Sequence, residues 1–348
     1  MKKFTAALVI LVMTAALVFA GGSQDTATGT EEGLVVGISN GWVGSEWRTQ
    51  MVNDTLAVAE EYKAMGIISE VIVQSTDVSL EGQIDQVRNL MAIGCDIILI
   101  NPADAKAFNP VFSEAKKQGI IIVSTDTEVS SKDAINVCID QKEWAMTSAK
   151  WLAEKLGGKG NIVTINGIAG HPANTARVDE YQTVFNEYPG IKILNEVNGD
   201  WDNAKGMSAM QNMLATFPSI NGVWVQDGMT EGTLMALQGA GRDDVFLTGE
   251  ARVGFLKKWN EMGIDTIGVA NPPGCMASAL HVAVQLAQGK EIKKSVLACP
   301  YGNTIYVPIP VVVTSENLSS VVKEYADKPD YYAVDGFISK EEAASYFN

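Results

Sequence analysis

Short apolar runs rich in Val and Ile alternate along this chain with longer segments in which apolar residues recur at helical spacing. The run at 97–100 stops at Asn101-Pro102, and the run at 120–123 stops at Ser124-Thr125-Asp126; between them Ala107, Val111 and Ala115 recur at helical spacing. A β-branched run with no polar interruption suits a strand covered on both faces of a parallel sheet, so 97–126 reads as strand, helix and strand. In open α/β sheets ligands lie beyond the carboxyl ends of the strands. Asn101 and Asp126 are therefore candidate site residues on position alone.

The same alternation extends in both directions. A strand at 34–39 precedes a polar loop at 40–46, and 47–65 carries a helical face of Met51, Leu56, Val58, Ala59 and Tyr62. With a strand at 69–74 and a helix at 80–92, the residues up to 140 make four βα units, with a further short strand at 135–139. After Gly157-Gly158-Lys159-Gly160 the pattern restarts, with strands at 161–165, 191–197, 222–226 and 245–248 separated by helices at 175–188, 205–216 and 230–239. The second half repeats the first, which predicts two similar doubly wound α/β lobes with parallel sheets. Met207, Met210 and Met213 share one helical face and belong to the core. A strand at 266–270 ending at Asn271-Pro272-Pro273, a helix at 276–288, a β-rich stretch at 306–313 and a helical turn within 335–347 remain. They suit a chain that passes between lobes more than once.

The amino end has a different character. Lys2-Lys3, an apolar run at 4–19 and a small-residue close at Ala20 read as a secretory signal peptide over 1–20; a retained membrane anchor is the other reading, for which the run is short. Residues 21–33 form a flexible leader, and the absence of Cys at the cleavage point gives no support to a lipid-modified start. The chain of 348 residues has a net charge of −15, or −17 without Lys2 and Lys3, so nucleic acid and anionic membranes are poor partners. Its length suggests two domains. Cys95 and Cys138 fall in apolar strand-like surroundings, and Cys275 with Cys299 is the pair to test for a disulfide. No Cys/His spacing suggests a metal, and GIAG at 167–170 lacks the dinucleotide fingerprint, so no cofactor is implied.

The segments VVGISN (35–40), IILINPAD (97–104), IIVSTD (121–126), NGIAGHPANTARVDEY (166–181), GDWDNAKGMSAMQNML (199–214) and GVWVQDG (222–228) occur in a telling order and spacing. In this the chain resembles, from residue 34 to about 313, the periplasmic sugar-binding proteins of ATP-driven importers, the group of ribose-binding and galactofuranose-binding proteins. The resemblance implies the type I periplasmic binding fold, with three crossovers near 139–141, 270–272 and 303–305. The amino-terminal lobe is then 34–139 with 271–304, and the carboxy-terminal lobe 140–270 with 305–348.

It also implies a ligand set. Ser39 and Asn40 supply the polar end of the first strand, and Trp47-Arg48 matches a pair of the galactofuranose-binding subgroup. Asn101 and Asp126 match the family's amide and carboxylate, and Arg177 its second-lobe arginine. Trp201 stands for a stacking phenylalanine, Asp227 for an asparagine, Glu250 for an aspartate in an altered turn at 248–251, and Asn271 for a late amide contact. Two departures matter: Thr127 occupies the position of an arginine, which Arg48 would replace from another direction, and the segment past 313, with Tyr331-Tyr332 and Asp335-Gly336-Phe337, extends beyond the ribose-binding pattern and is a candidate to cap the hinge.

Sugars present paired hydroxyls to carboxylates, amides and arginines, and a C–H face to aromatic rings. Each residue also has a plainer reading. Asp126 could cap the next turn, Asn101 could be turn chemistry, Arg177 could be a solvated charge, and Trp201 is either a lid or a packing anchor. Trp42 and Trp47 compete for one stacking position, with Trp47 preferred; His171 falls near the cleft mouth, and His281 on a surface or in packing. The expected protein is an exported, periplasmic, monomeric receptor that closes over a sugar or polyol and docks on a membrane permease with its ATPase. Presentation to a chemotaxis or sensor-kinase system is the alternative. An enzyme is disfavoured because nothing separates an acid from a nucleophile, and a sugar-responsive repressor would need a helix-turn-helix in front.

Overall fold

Two strands with no exposed side, Ile97–Asn101 and Ile121–Thr125, lie side by side in parallel within a six-stranded sheet, each covered by helices on both faces. A computed structural model describes residues 33–298 and 301–348. The expected signal peptide, the leader up to residue 32, and Cys299 lie outside the described residues.

The chain runs β1 (Leu34–Asn40), α1 (Glu46–Ala64), β2 (Ile68–Ser75), α2 (Leu80–Ile93), β3 (Ile97–Asn101), α3 (Asn109–Lys117), β4 (Ile121–Thr125) and β5 (Ile135–Cys138) through the first lobe. The second lobe follows with α4 (Gln141–Lys155), β6 (Lys159–Asn166), α5 (Pro172–Asn186), β7 (Gly190–Asn198), α6 (Asn203–Thr216), β8 (Gly222–Val225), α7 (Thr230–Gly239), β9 (Phe246–Glu250), α8 (Val253–Met262) and β10 (Thr266–Val269). Then come α9 (Cys275–Ala287), β11 (Thr304–Tyr306), β12 (Val312–Val313), α10 (Leu318–Glu324) and α11 (Lys340–Ser345). The sheets are ordered β11-β5-β4-β3-β1-β2 and β12-β10-β9-β8-β6-β7; every pairing is parallel except β12 on β10. This is the doubly wound, two-lobed architecture that the alternation predicts.

The tail corrects the expected lobe boundaries. Thr304 and Ile305 are fully buried because β11 adds to the edge of the first sheet beside β5, so the third crossing lies after Tyr306 and not at 303–305. Nor is 305–348 one piece of the second lobe. β12 and α10 pack there, but α11 packs on α9 and Ile292 bridges Phe347, which returns the last residues to the first lobe. Three passages thus join the sheets, and a fourth, at 335–339, carries the tail back.

Registration sets the site. Asn40 lies level with Asn101, so the strands end together, and the cleft faces those ends. Ser45 caps α1 by accepting from the Arg48 amide, and His171 caps α5 through Nδ1 with Pro172 in the first turn. Both helices start at the cleft and carry an arginine toward it, Arg48 in the first turn of α1 and Arg177 in the second turn of α5. Met210 and Met213 are buried in the second lobe's core with Met207 packed against them. His281 is buried, paired with the Tyr62 hydroxyl at 2.8 Å, and pushed down to about 4 by burial, so it is a packing residue. The thiols of Cys95, Cys138 and Cys275 are buried and free.

Candidate functional site

A cavity of about 420 Å³ opens between the lobes. The first lobe lines it with Trp42, Trp47, Arg48 and Asp126, the second with Arg177, Trp201, Asp227 and Arg252, and Asn271 stands at the second crossing. Backbone geometry at the strand ends aims several of these groups. Asp126, Asp227, Asp200 and Trp201 all have left-handed φ, between 42° and 66°. Non-glycine residues visit that region seldom, and where they do the surroundings must hold them.

Three guanidinium groups stand near three carboxylates. Arg177 is fully buried; its Nη1 donates to Asp227 at 2.6 Å, its Nε to Gln141 at 2.8 Å, and its Cζ lies 4.1 Å from the centre of the Trp144 ring. Arg252 donates through Nε to Glu250. Arg48 donates through Nη1 to the Asn40 amide oxygen at 3.0 Å and lies 5.7 Å from the centre of the Trp42 ring. Burial pulls Arg48 below its ordinary value, against the attraction of Asp126. Burial raises Asp126 as well, with Arg48 and Arg177 working in the opposite direction. Pairing of this kind limits the cost of charges withdrawn from water.

The expected site residues divide into two layers. Trp47, Arg48, Asp126, Arg177, Trp201, Asp227 and Asn271 line the cavity. Ser39, Asn40, Asn101 and Glu250 do not; they stand behind it. Ser39 donates to Gln86 at 2.9 Å, Asn40 holds Arg48, Asn101 donates to Asp126 at 3.2 Å, and Glu250 holds Arg252. Burial raises Glu250 to about 7, with Arg252 opposing the shift and Asp227 adding to it. Trp47 and Trp42 do not compete: the Trp47 indole is buried and donates to the Asn271 carbonyl at 2.7 Å, while Trp42 is half-buried under Arg48.

Trp201 is anchored and on the cavity wall at once. Its indole N–H donates to Gln226 at 3.0 Å, and its ring meets His171 edge-on at 4.8 Å. Gly167 is what lets it in, since a Cβ there would lie 2.1 Å from the ring. Burial, with Arg48 and Arg177 nearby, lowers His171 to about 3. Thr127 is buried and turned out of this cavity, and Arg48 is the first-lobe guanidinium beside Asp126. Arg252 and Gln141 escaped the sequence reading. Arg252 could have been found as the first cation after the acid that ends β9, whereas Gln141 begins a helix after a crossing and carries no pattern.

Charged and aromatic groups from two parallel-sheet lobes, converging on one cavity at the strand ends, define a two-lobed solute receptor by architecture. The chain belongs to the periplasmic binding protein family, whose domain matches residues 36–291. Among its relatives is the xylitol-binding protein of Mycolicibacterium smegmatis, 30% identical over 231 residues; the match covers 64% of this chain and 65% of that protein, just under two thirds of its length. The ribose import binding protein of Bacillus subtilis is 23% identical over 278 residues, covering 79% of this chain and 89% of that one. The crystal structure of an ABC transporter periplasmic solute binding protein from Actinobacillus succinogenes with bound D-allose superimposes with a TM-score of 0.71 at 26% identity, covering 82% of this chain and 99% of that chain.

Proposed function

We propose that this protein is an extracytoplasmic receptor that closes over a neutral monosaccharide or polyol and hands it to an ATP-driven membrane importer. The observation that carries this reading is Arg177. Its Nε and Nη1 are engaged, yet its fully buried Nη2 has no partner among the described residues, and Arg177 forms part of the cavity wall. A buried N–H left unpaired costs about 1–3 kcal/mol, and a ligand hydroxyl between the lobes would satisfy it. Asp126, Asp227 and Asn271 supply acceptors and a donor for adjacent hydroxyls, while Trp42 and Trp201 offer ring surface. Each of the three arginines is set against a carboxylate, Arg177 on Asp227, Arg252 on Glu250 and Arg48 beside Asp126, so none of them is left as a bare cation for an anionic ligand, and a neutral one suits the site. The ligands named for the relatives, xylitol, ribose and D-allose, are of this kind.

Calorimetry and thermal shift with xylitol, D-ribose and D-allose, extended to hexoses, furanoses and other polyols, test the reading. A ligand at a hundred times its Kd should stabilise the protein by about 2.7 kcal/mol. A panel in which no sugar or polyol gives a shift would sink it.

A further inference from the structure

Gln141 stands at the boundary between the lobes. It is the first residue of α4, directly beyond the first crossing, and is almost fully buried. Its amide nitrogen reaches across to the first lobe, donating to the Asp126 backbone carbonyl at 2.9 Å and approaching the Asp126 carboxylate at 3.4 Å. Its amide oxygen accepts from Arg177 Nε at 2.8 Å within the second lobe. From Arg177 the chain of contacts continues to Asp227, which Asn271 meets at 3.4 Å, and Asn271 accepts in turn from Trp47 of the first lobe. The main carboxylate of one lobe and the main guanidinium of the other are therefore joined through a single neutral side chain, and every bond in the series lies between protein groups.

We propose that Gln141 is a positioning residue that bridges the two halves of the cleft and biases the protein toward its closed arrangement. The proposal deepens the sugar-receptor reading and rests on it for the ligand, though not for the bridge itself. The amide serves here without adding charge, because it donates to Asp126 and accepts from Arg177 at the same time. A protein that spends more time closed binds with higher apparent affinity, since less of the binding free energy goes into closure.

The test compares wild type, Gln141→Ala and Gln141→Glu by small-angle scattering without added sugar, then by calorimetry with xylitol, D-ribose and D-allose. Gln141→Ala should have the larger radius of gyration and bind whichever sugar the wild type takes about tenfold more weakly. Gln141→Glu separates bridging from packing. At about pH 8, well above the ordinary glutamate value of about 4.3, it keeps the acceptor for Arg177 but cannot donate to Asp126, so it should match Gln141→Ala. An unchanged radius of gyration in Gln141→Ala overturns the bridge, whatever happens to affinity, and so does a Gln141→Glu protein that resembles wild type at about pH 8. If the radius rises but the wild type takes none of the three sugars, the bridge stands and the sugar reading is what fails.

Discussion

The Trp47 indole donates to the Asn271 carbonyl across 2.7 Å, fixing the start of α1 to the second crossing between the lobes. The start of α1 is thus tied to a residue whose side chain also faces Asp227. Lining residues in this cleft are rarely free to act alone, and the consequences of replacing them differ accordingly.

Removing Arg177 leaves Asp227 buried without its cation. Arg177→Ala should lose about 3–5 kcal/mol in urea unfolding, whereas the double replacement Arg177→Met with Asp227→Leu should recover much of that while binding no sugar. A single mutant as stable as wild type would show that the 2.6 Å pair contributes little.

Asp126 calls for a gentler probe. Asn tolerates its left-handed backbone almost as well as Asp does. Asp126→Asn should unfold no earlier than wild type, because a carboxylate raised by burial is no longer carried into the interior. Its affinity for the cognate sugar should fall by about tenfold or more through loss of a charged acceptor. Unchanged affinity by calorimetry would remove Asp126 from the ligand set.

Gly167→Ala tests the seat of Trp201 without touching either polar partner. The new Cβ meets the indole at 2.1 Å, and the ring must leave Gln226 and His171. About 1–3 kcal/mol of destabilisation is expected from such overpacking, together with weaker sugar binding. Trp201→Ala in the same background should then cost little more, since the ring is already displaced.

Stability should depend on pH with opposite signs on two limbs. Asp335 accepts from the Gly274 and Gly336 amides and lies beside Asp54; burial, then Asp54, raises it to about 8. Glu250 is raised to about 7. Both folded values exceed the unfolded ones of about 4, so the folded state binds more protons between them and stability falls as pH rises through that window. His171 and His281, lowered to about 3 and about 4, act the other way, and their contribution is lost as pH falls below about 6.5. Urea unfolding against pH should therefore fall off on its alkaline side, and Asp335→Asn should flatten that side. A profile that Asp335→Asn leaves unchanged would contradict the assignment.

The strand ends were legible because β-branched runs announce buried strands, and the residue that stops such a run must sit at the cleft. What a run cannot tell is which way its last residue points. Successive side chains on a strand alternate between faces. Ser39 therefore turns back to Gln86 on α2 while Asn40 reaches Arg48, and Asn101 supports Asp126 from behind. Gln141 was invisible for another reason: its role comes from two partners 15 and 36 residues away, on different lobes. The tail was misassigned because three residues of β11 are too short a run to choose between two similar sheets.

The return of α11 to α9 has a consequence for synthesis. Domains usually fold in the order in which they emerge from the ribosome, but here the first lobe to be started is the last to be finished. Its core waits for α9, for β11 at its sheet edge, and finally for Phe347, buried against the first lobe beside Ile292. The second lobe can assemble its sheet once β12 has been made. The vectorial order is thus inverted, and damage to the final helix would loosen the oldest part of the molecule first.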